Sequence, residues 1–360
     1  MQVPKISSLT AVPPSTASAY VDNLLMSYPK TAEGKKLRDD FLKEYKTRFN
    51  TEERGTPTKF MGIEISRDRS AKTLTLSQER YIAEACARFL NSTCTKTFHS
   101  PVQSAKTEEF MKLSGAKDDM ERAAMRDKPY MALMGTLLWC VFTHPEIAYY
   151  VSFLCQFMQD PSTDAYEAGL GVLVYLGSAR KIGITYDGNK PNITVFSDSS
   201  WGQTPFPFGG HVIFFCGGAV SYQARKLKIA PQSSAEAETA VYATAAKDLQ
   251  FVLNVSGHDG MGAKIALPVP IYCDNQATVA GVTNVGATAR TRHYENWLMY
   301  GREQHINRIS TPVWVRTDQQ VADVFTKALD KTTFLRFRAL LLNQPAEGVS
   351  VYSRNLVYGD

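Results

Sequence analysis

Residues 192–202 read Asn192-Ile193-Thr194-Val195-Phe196-Ser197-Asp198-Ser199-Ser200-Trp201-Gly202. Asn192–Ser197 is an apolar run of strand length that stops on Asp198, at the edge where open α/β sheets place their sites. Working outward, His211–Cys216 and Ala219–Ala224 read as a hairpin across Gly217-Gly218. An Ala-rich helix covers residues 234–254. Val269–Cys273 is a second strand that runs into an acid, Asp274, and a helix follows it. A further helix spans 292–306, Ile309–Val315 is a strand, and Gln319–Leu329 reads as helical. The order βββαβαβα, with helices returning between some strands, predicts an α/β domain with a mixed sheet.

Upstream, residues 1–19 are rich in Ser, Thr and Pro and read as an irregular leader. Lys35–Phe49 has helical spacing. Lys59–Ser66 and Lys72–Leu76 read as strands around a polar turn, and Ser77 is expected to cap a helix towards Leu90. Residues 91–118 look like a polar surface connection. Helical patterns follow at 121–142, 146–158 and 163–177, with a strand at Ile182–Tyr186. From Pro129 to Gln159 Glu146 is the sole Asp, Glu, Lys or Arg, so a membrane hairpin has to be weighed. Each half is short for a span and is broken at Thr143-His144-Pro145-Glu146, which favours two buried helices meeting at a Pro turn.

The whole chain, 360 residues with 44% hydrophobic and 21% charged, has the composition of a folded protein rather than a disordered or disulfide-stapled one. A net charge of +5 permits a polyanionic partner without identifying one. Six widely spaced cysteines lack zinc-ligand spacing and suit a reducing compartment.

Four carboxylates stand out. Asp198 and Asp274 end predicted strands, Glu238 lies one turn into the long helix, and Asp323 lies near the start of the last one. Singly, an acid at a helix start is explained by the helix dipole. Together, with no His/Cys cluster, they suit hard, oxygen-preferring Mg²⁺ or Mn²⁺, and two such ions can drive phosphodiester hydrolysis.

The run Val195–Gly202 resembles the opening strand of the ribonuclease H domain in copia-type LTR retrotransposon Pol polyproteins. Gly209-Gly210-His211-Val212-Ile213-Phe214 and Gly217-Gly218-Ala219-Val220-Ser221-Tyr222 are similar to that family's hairpin. Gln232-Ser233-Ser234-Ala235-Glu236-Ala237-Glu238 resembles its helix opening, in which the second Glu is the metal-binding one. Tyr272-Cys273-Asp274-Asn275-Gln276, Arg290-Thr291-Arg292-His293 and the closing Asp318–Lys327 follow in family order. Upstream, Lys59–Ile65, Leu76-Ser77-Gln78, Gly135–Trp139 and His144–Tyr149 are similar to the family's segment after the polymerase palm, so the resemblance covers about residues 20–335.

The resemblance implies a ribonuclease H-like domain with a mixed five-stranded sheet at 191–335; separately, a fragment beginning near Pro191, about 170 residues holding the predicted elements of one α/β domain, is expected to fold on its own. A palm remnant and mostly helical α+β connection region at 20–190 would precede it, and a tail at 336–360 would follow. It also implies Asp198, Glu238, Asp274 and Asp323 as holders of two Mg²⁺ or Mn²⁺ ions, and cleavage of the RNA strand of an RNA–DNA hybrid. Tyr20-Val21-Asp22-Asn23 occupies the place of the polymerase Tyr-Val-Asp-Asp hairpin. Asn23 replaces the second acid and only residues 1–19 precede it, so DNA synthesis is not expected. The superfamily's loop His before the last Asp is also absent, the loop reading Arg316-Thr317-Asp318-Gln319; His293 is a substitute only if the fold brings it near.

Arg225, Lys226, Lys228, Arg290, Arg292 and His293 are candidate phosphate contacts, or a solvated charged face. Trp201 either stacks on the substrate or packs in the core. Asn275 either bonds a ribose 2′-hydroxyl or caps a helix. The remaining partner expected is the rest of a Pol polyprotein. An intracellular location is expected, cytoplasmic in a virus-like particle or nuclear. The alternative is an inactive retroelement relic that binds nucleic acid without catalysis.

Overall fold

The computed structural model describes residues 16–21, 23–90, 97–201, 207–256, 263–284, 292–344 and 351–358. Asp22 and Arg290 lie outside them. The chain opens with a hairpin, β1 (Thr16–Tyr20) and β2 (Asn23–Ser27), in which Tyr20 stands opposite Asn23. Helix α1 (Ala32–Arg48) follows. A four-stranded antiparallel sheet joins β3 (Lys59–Phe60), β4 (Ile63–Asp68) and β5 (Thr73–Ser77) to the distant β6 (Ile184–Asp187). Between β5 and β6 run α2 (Glu79–Phe89), α3 (Thr107–Met111), α4 (Asp119–Met125), α5 (Tyr130–Cys140), α6 (Ala148–Cys155) and α7 (Thr163–Ala179).

The second sheet contains β7 (Ile193–Ser199), β8 (Phe208–Phe215), β9 (Gly218–Lys226), β10 (Val269–Cys273) and β11 (Ser310–Trp314), in the order β11-β10-β7-β8-β9. β8 and β9 run antiparallel to their neighbours, whereas β10 is parallel to both β7 and β11. This is the mixed five-stranded, ribonuclease H-like α/β arrangement that the resemblance implied. Its helices are α8 (Ser234–Ser256), α9 (Gln276–Thr283) and α10 (Glu295–Ile306), followed by α11 (Lys331–Leu341) and α12 (Val351–Tyr358).

The period-two alternation of β7 and β8 sorts side chains onto two faces, and both faces are buried. Ile193, Val195 and Ile213 pack with Tyr242, Ala245 and Leu249 of α8 and Leu298 of α10. Phe196, Val212 and Phe214 join a larger cluster that includes Leu133, Leu137, Val151, Leu154, Leu173, Phe334 and Leu341. Thus one apolar core runs from the upstream helices into the sheet and on to α11. Polar contacts cross the same seam: the Tyr222 hydroxyl donates to the carbonyls of Val141 and Phe142, at 2.9 and 3.0 Å.

Local chemistry modifies several sequence expectations. Ser77 does not cap α2. The residue before the helix is Gln78, and the orphan N–H groups of Glu79 and Arg80 donate instead to the Glu64 carboxylate on β4, at 2.7 and 3.2 Å. The 121–142 pattern divides into α4 and α5, with Pro129 immediately before α5. Residues 319–329 form no α-helix; they hold part of the 3₁₀ turn Thr317–Gln319 and the 3₁₀ turn Val321–Phe325. The Pro turn at 145 is present, and its Glu146 is fully buried, bonded to His144 Nδ1 at 2.9 Å and accepting from the Tyr175 hydroxyl at 2.8 Å. Among the described residues no helix is long and apolar enough to cross a membrane.

Because Phe196, Val212, Phe214 and Tyr222 lean on residues from the upstream helices, a fragment starting at Pro191 is expected to expose an apolar face. It should bind a hydrophobic dye and melt with less cooperativity than a fragment starting at Lys59. Sharp melting of the 191–360 fragment without dye binding would contradict this packing account.

Candidate active site

Four separate elements deliver the four carboxylates. Asp198 is the next-to-last residue of β7, and Asp274 follows the last residue of β10. The parallel register pairs Ile271 with Val195 and Tyr272 with Phe196. Asp274 stands two residues after Tyr272 as Asp198 stands two after Phe196, so both acids leave the same end of adjacent parallel strands. Glu238 lies on α8, and its Oε1 accepts from the Ser199 backbone N–H at 3.0 Å and from Ser199 Oγ at 3.1 Å. Ser199 faces α8 and Asp198 faces the other way, so carboxylates from both sides of the sheet meet at the end of β7.

Asp323 arrives on the turn Val321–Phe325, and two features hold that turn against the sheet. Buried Gln320 donates from Nε2 to the Ser197 carbonyl at 3.0 Å and accepts from the Ala322 N–H at 3.2 Å. Gly210, the partner of Asp198 on β8, provides the space: a Cβ there would lie 2.3 Å from Phe325 Cβ.

Asp198 and Glu238 are each 4% exposed and Asp323 is 6% exposed, so their charges have little access to water. Burial, followed by the repulsion of Asp323, pushes Asp198 up to about 8, against the opposing Lys327 and Thr326. Burial and then the charges of Asp198 and Asp274 hold Glu238 well above the ordinary carboxylate range. Burial also raises Asp323, even though Lys327 Nζ lies 2.8 Å from its Oδ2. Thr326 Oγ1 donates to Asp198 Oδ2, and Thr317 Oγ1 donates to Asp274 Oδ2 at 2.9 Å. Asp323 Oδ1 is buried with no hydrogen-bond partner among the described residues.

Clustered carboxylate oxygens, one of them unbonded, form a donor set that fits a hard divalent cation. Ligand atoms of Glu238, Cys273 and Asp274 lie within 4.8 Å of one another. Cys273 is buried between the two carboxylates' strand and helix. Burial and then Glu238 hold it well above its usual range, and its Sγ donates to Glu238 Oε2 at 3.8 Å.

The structure therefore brings together all four of the carboxylates expected from the sequence. Thr317, Thr326, Gln320 and Lys327 escaped sequence reasoning as site residues, since only position in the closing motif or the preceding loop marks them. The other candidates surround the same sheet end. Trp201 is 49% exposed and donates Nε1 to the Pro231 carbonyl at 3.2 Å, which removes the core alternative. Asn275 caps α9 by accepting from the Thr278 N–H at 3.0 Å. Arg225 and Lys226 close β9 opposite Gly209 and Phe208, two strands from Asp198 and about 10 Å away. Both are exposed, as is Lys228. Lys226 Nζ donates to Gln156 Oε1 at 3.0 Å. Arg292 is exposed, while His293 Nε2 lies 3.3 Å from Glu236 Oε2 on the far flank of α8.

Native Asp198 holds a proton that the unfolded chain releases, because its folded value of about 8 exceeds an unfolded value of about 4. The native state then binds more protons than the unfolded one between these values. This contribution to stability is present at low pH and is lost as pH rises through the window. In EDTA, the melting temperature of Asp198→Asn is expected to fall less between about pH 5 and pH 8 than that of the wild type. Parallel curves for the two proteins would contradict the assignment.

No family model matches the chain. It is 28% identical over 324 residues to the retrovirus-related Pol polyprotein from transposon RE1 of Arabidopsis thaliana, covering 88% of this chain and 21% of that protein. It is 26% identical over 319 residues to the corresponding polyprotein from transposon TNT 1-94 of Nicotiana tabacum, covering 88% of this chain and 23% of that one. The chain thus spans about a fifth of the length of these relatives. Solved structures with partial likeness include LC11-RNase H1 in complex with an RNA/DNA hybrid, at 16% identity and TM-score 0.29, covering 37% of this chain and 93% of that one. RNase H1 from the halophilic archaeon Halobacterium salinarum is similar at 17% identity and TM-score 0.30, covering 38% and 94%. The strand order, rather than these superpositions, carries the fold. The putative transposon Ty5-1 protein of Saccharomyces cerevisiae is 31% identical over 245 residues, 66% of this chain and 74% of that protein. By this likeness the chain belongs to the Pol polyproteins of copia-type retrotransposons.

Proposed function

We propose that the chain hydrolyses the RNA strand of RNA–DNA hybrids, with Asp198, Glu238, Asp274 and Asp323 holding two Mg²⁺ or Mn²⁺ ions. The observation that carries this reading is the convergence of these four carboxylates at one sheet end, three of them buried. When bound, the ions would supply an activated water and charge stabilisation for the departing 3′ oxygen. The chain's own groups position the carboxylates: Ser199 orients Glu238, Thr326 orients Asp198 and Thr317 orients Asp274. Arg225, Lys226 and Lys228, at and just after the end of β9, two strands from β7, would grip phosphates without regard to sequence. Trp201, with an exposed ring, would meet a sugar or base, and Asn275 lies beside Asp274, where a 2′-hydroxyl would have to be sensed. Arg292 and His293 would extend the grip on the flank of α8. An intracellular setting, cytoplasmic within a particle or nuclear, accompanies this reading, as does association with the rest of a Pol polyprotein.

The reading includes the absence of polymerisation. Asn23 opens β2 with an amide where the family's polymerase hairpin has its second acid, and an amide supplies less charge to a divalent ion. The protein alone is expected not to extend a primer on RNA or DNA templates. Extension above a no-enzyme control would overturn that part of the proposal.

Asp274→Asn is expected to reduce Mg²⁺-dependent cleavage of a labelled hybrid by about a thousandfold or more, with hybrid binding retained. Glu236, two residues from Glu238, accepts from the Gln232 N–H at 2.7 Å and faces His293. Glu236→Gln should therefore change the rate far less. Equal losses in the two variants, or full activity in Asp274→Asn, would place the chemistry elsewhere. A wild type that binds the hybrid without cutting it under any divalent ion would favour the relic reading.

A further inference from the structure

We propose that Lys327 is the resident counter-cation of the four-carboxylate site, holding Asp323 beside Asp198 when no divalent ion is bound and competing with such ions for Asp323. The inference rests on the ion-holding reading above and adds an internal competitor to it. Its ammonium lies 2.8 Å from Asp323 Oδ2, and its side chain is 36% exposed against 8% for Asp323. The neighbouring Thr326 hydroxyl bonds Asp198 Oδ2. One short stretch, residues 323–327, therefore supplies a carboxylate, a hydroxyl for the opposing carboxylate and a positive charge, all at the end of β7.

An ordinary i,i+4 ion pair on a surface contributes little because water screens both partners. Here one partner is buried and a second buried carboxylate stands next to it, so removing the cation leaves unbalanced charge out of water. A divalent ion drawn to Asp323 must share that carboxylate with the ammonium. Lys327 thus stabilises the ion-free protein and weakens ion binding through the same contact.

The test uses the full chain as wild type, Lys327→Met and Lys327→Arg, with melting temperature in EDTA and in Mn²⁺, and Mn²⁺ titration by calorimetry. Lys327→Met keeps the apolar stem and removes the charge. It should melt several degrees below the wild type in EDTA, recover most of that loss in saturating Mn²⁺, and bind Mn²⁺ about tenfold more tightly. Lys327→Arg should match the wild type in EDTA and bind Mn²⁺ no more tightly. Unchanged Mn²⁺ affinity in Lys327→Met, or a melting deficit that Mn²⁺ does not reduce, would overturn the proposal and leave Lys327 as packing. Should Lys327→Met fail to fold even with Mn²⁺, tighter Mn²⁺ binding by Lys327→Arg than by wild type would overturn it. A wild type that binds no Mn²⁺ would instead overturn the ion-holding reading, and the competition with it.

Discussion

The organisation of this molecule turns on carboxylates packed where water does not reach them. Asp198 lies at the end of a strand whose every residue is buried, with Asp323 on one side and Glu238 on the other. Such an arrangement is unfavourable by itself, since like charges repel and each has lost its hydration. The fold tolerates it through hydroxyl donors from Ser199 and Thr326 and through the Lys327 ammonium. A site held in this condition favours any group that brings in concentrated positive charge. That is the physical basis for assigning ion-dependent phosphodiester chemistry to it.

Everything larger in the structure serves to hold that strand end in place. Parallel pairing with β10 brings Asp274 out at the same sheet end as Asp198, and α8 lays Glu238 over Ser199. The missing side chain at Gly210 lets the Val321–Phe325 turn close on the opposite face. That face is also where residues from the α2–α7 region and α11 pack, through Leu133, Leu154, Leu173 and Phe334. The apolar stretch that could have been mistaken for a membrane hairpin is thus the support for one side of the sheet. Buried Glu146, bonded to His144 and Tyr175, marks the turn within it.

Much of this was legible from residues alone. The strands ending on Asp198 and before Asp274 announced themselves by apolar runs with an abrupt acid. The long helix with Glu238 has the composition for its length, and all four carboxylates stand out in the sequence by their places at strand ends and helix starts. Illegible were features that depend on contacts distant in sequence. The cap of α2 comes from Glu64 on another element, so local pattern assigned it to Ser77. The 319–329 segment has helical spacing, but Gln320 bonds to Ser197 and bends it into short turns. The continuity of the core across residue 190 is equally invisible to periodicity, which reports that a face is apolar and not what covers it.

Anomalous diffraction from crystals of the full chain, grown with Mn²⁺ and a short RNA–DNA hybrid, tests the central claim most directly. The account predicts two Mn²⁺ peaks at the end of β7, both within bonding distance of the Asp198, Glu238, Asp274 and Asp323 carboxylates or of a hybrid phosphate they face. Hybrid bound with no Mn²⁺ among these carboxylates, or Mn²⁺ ordered only elsewhere on the chain, would contradict it.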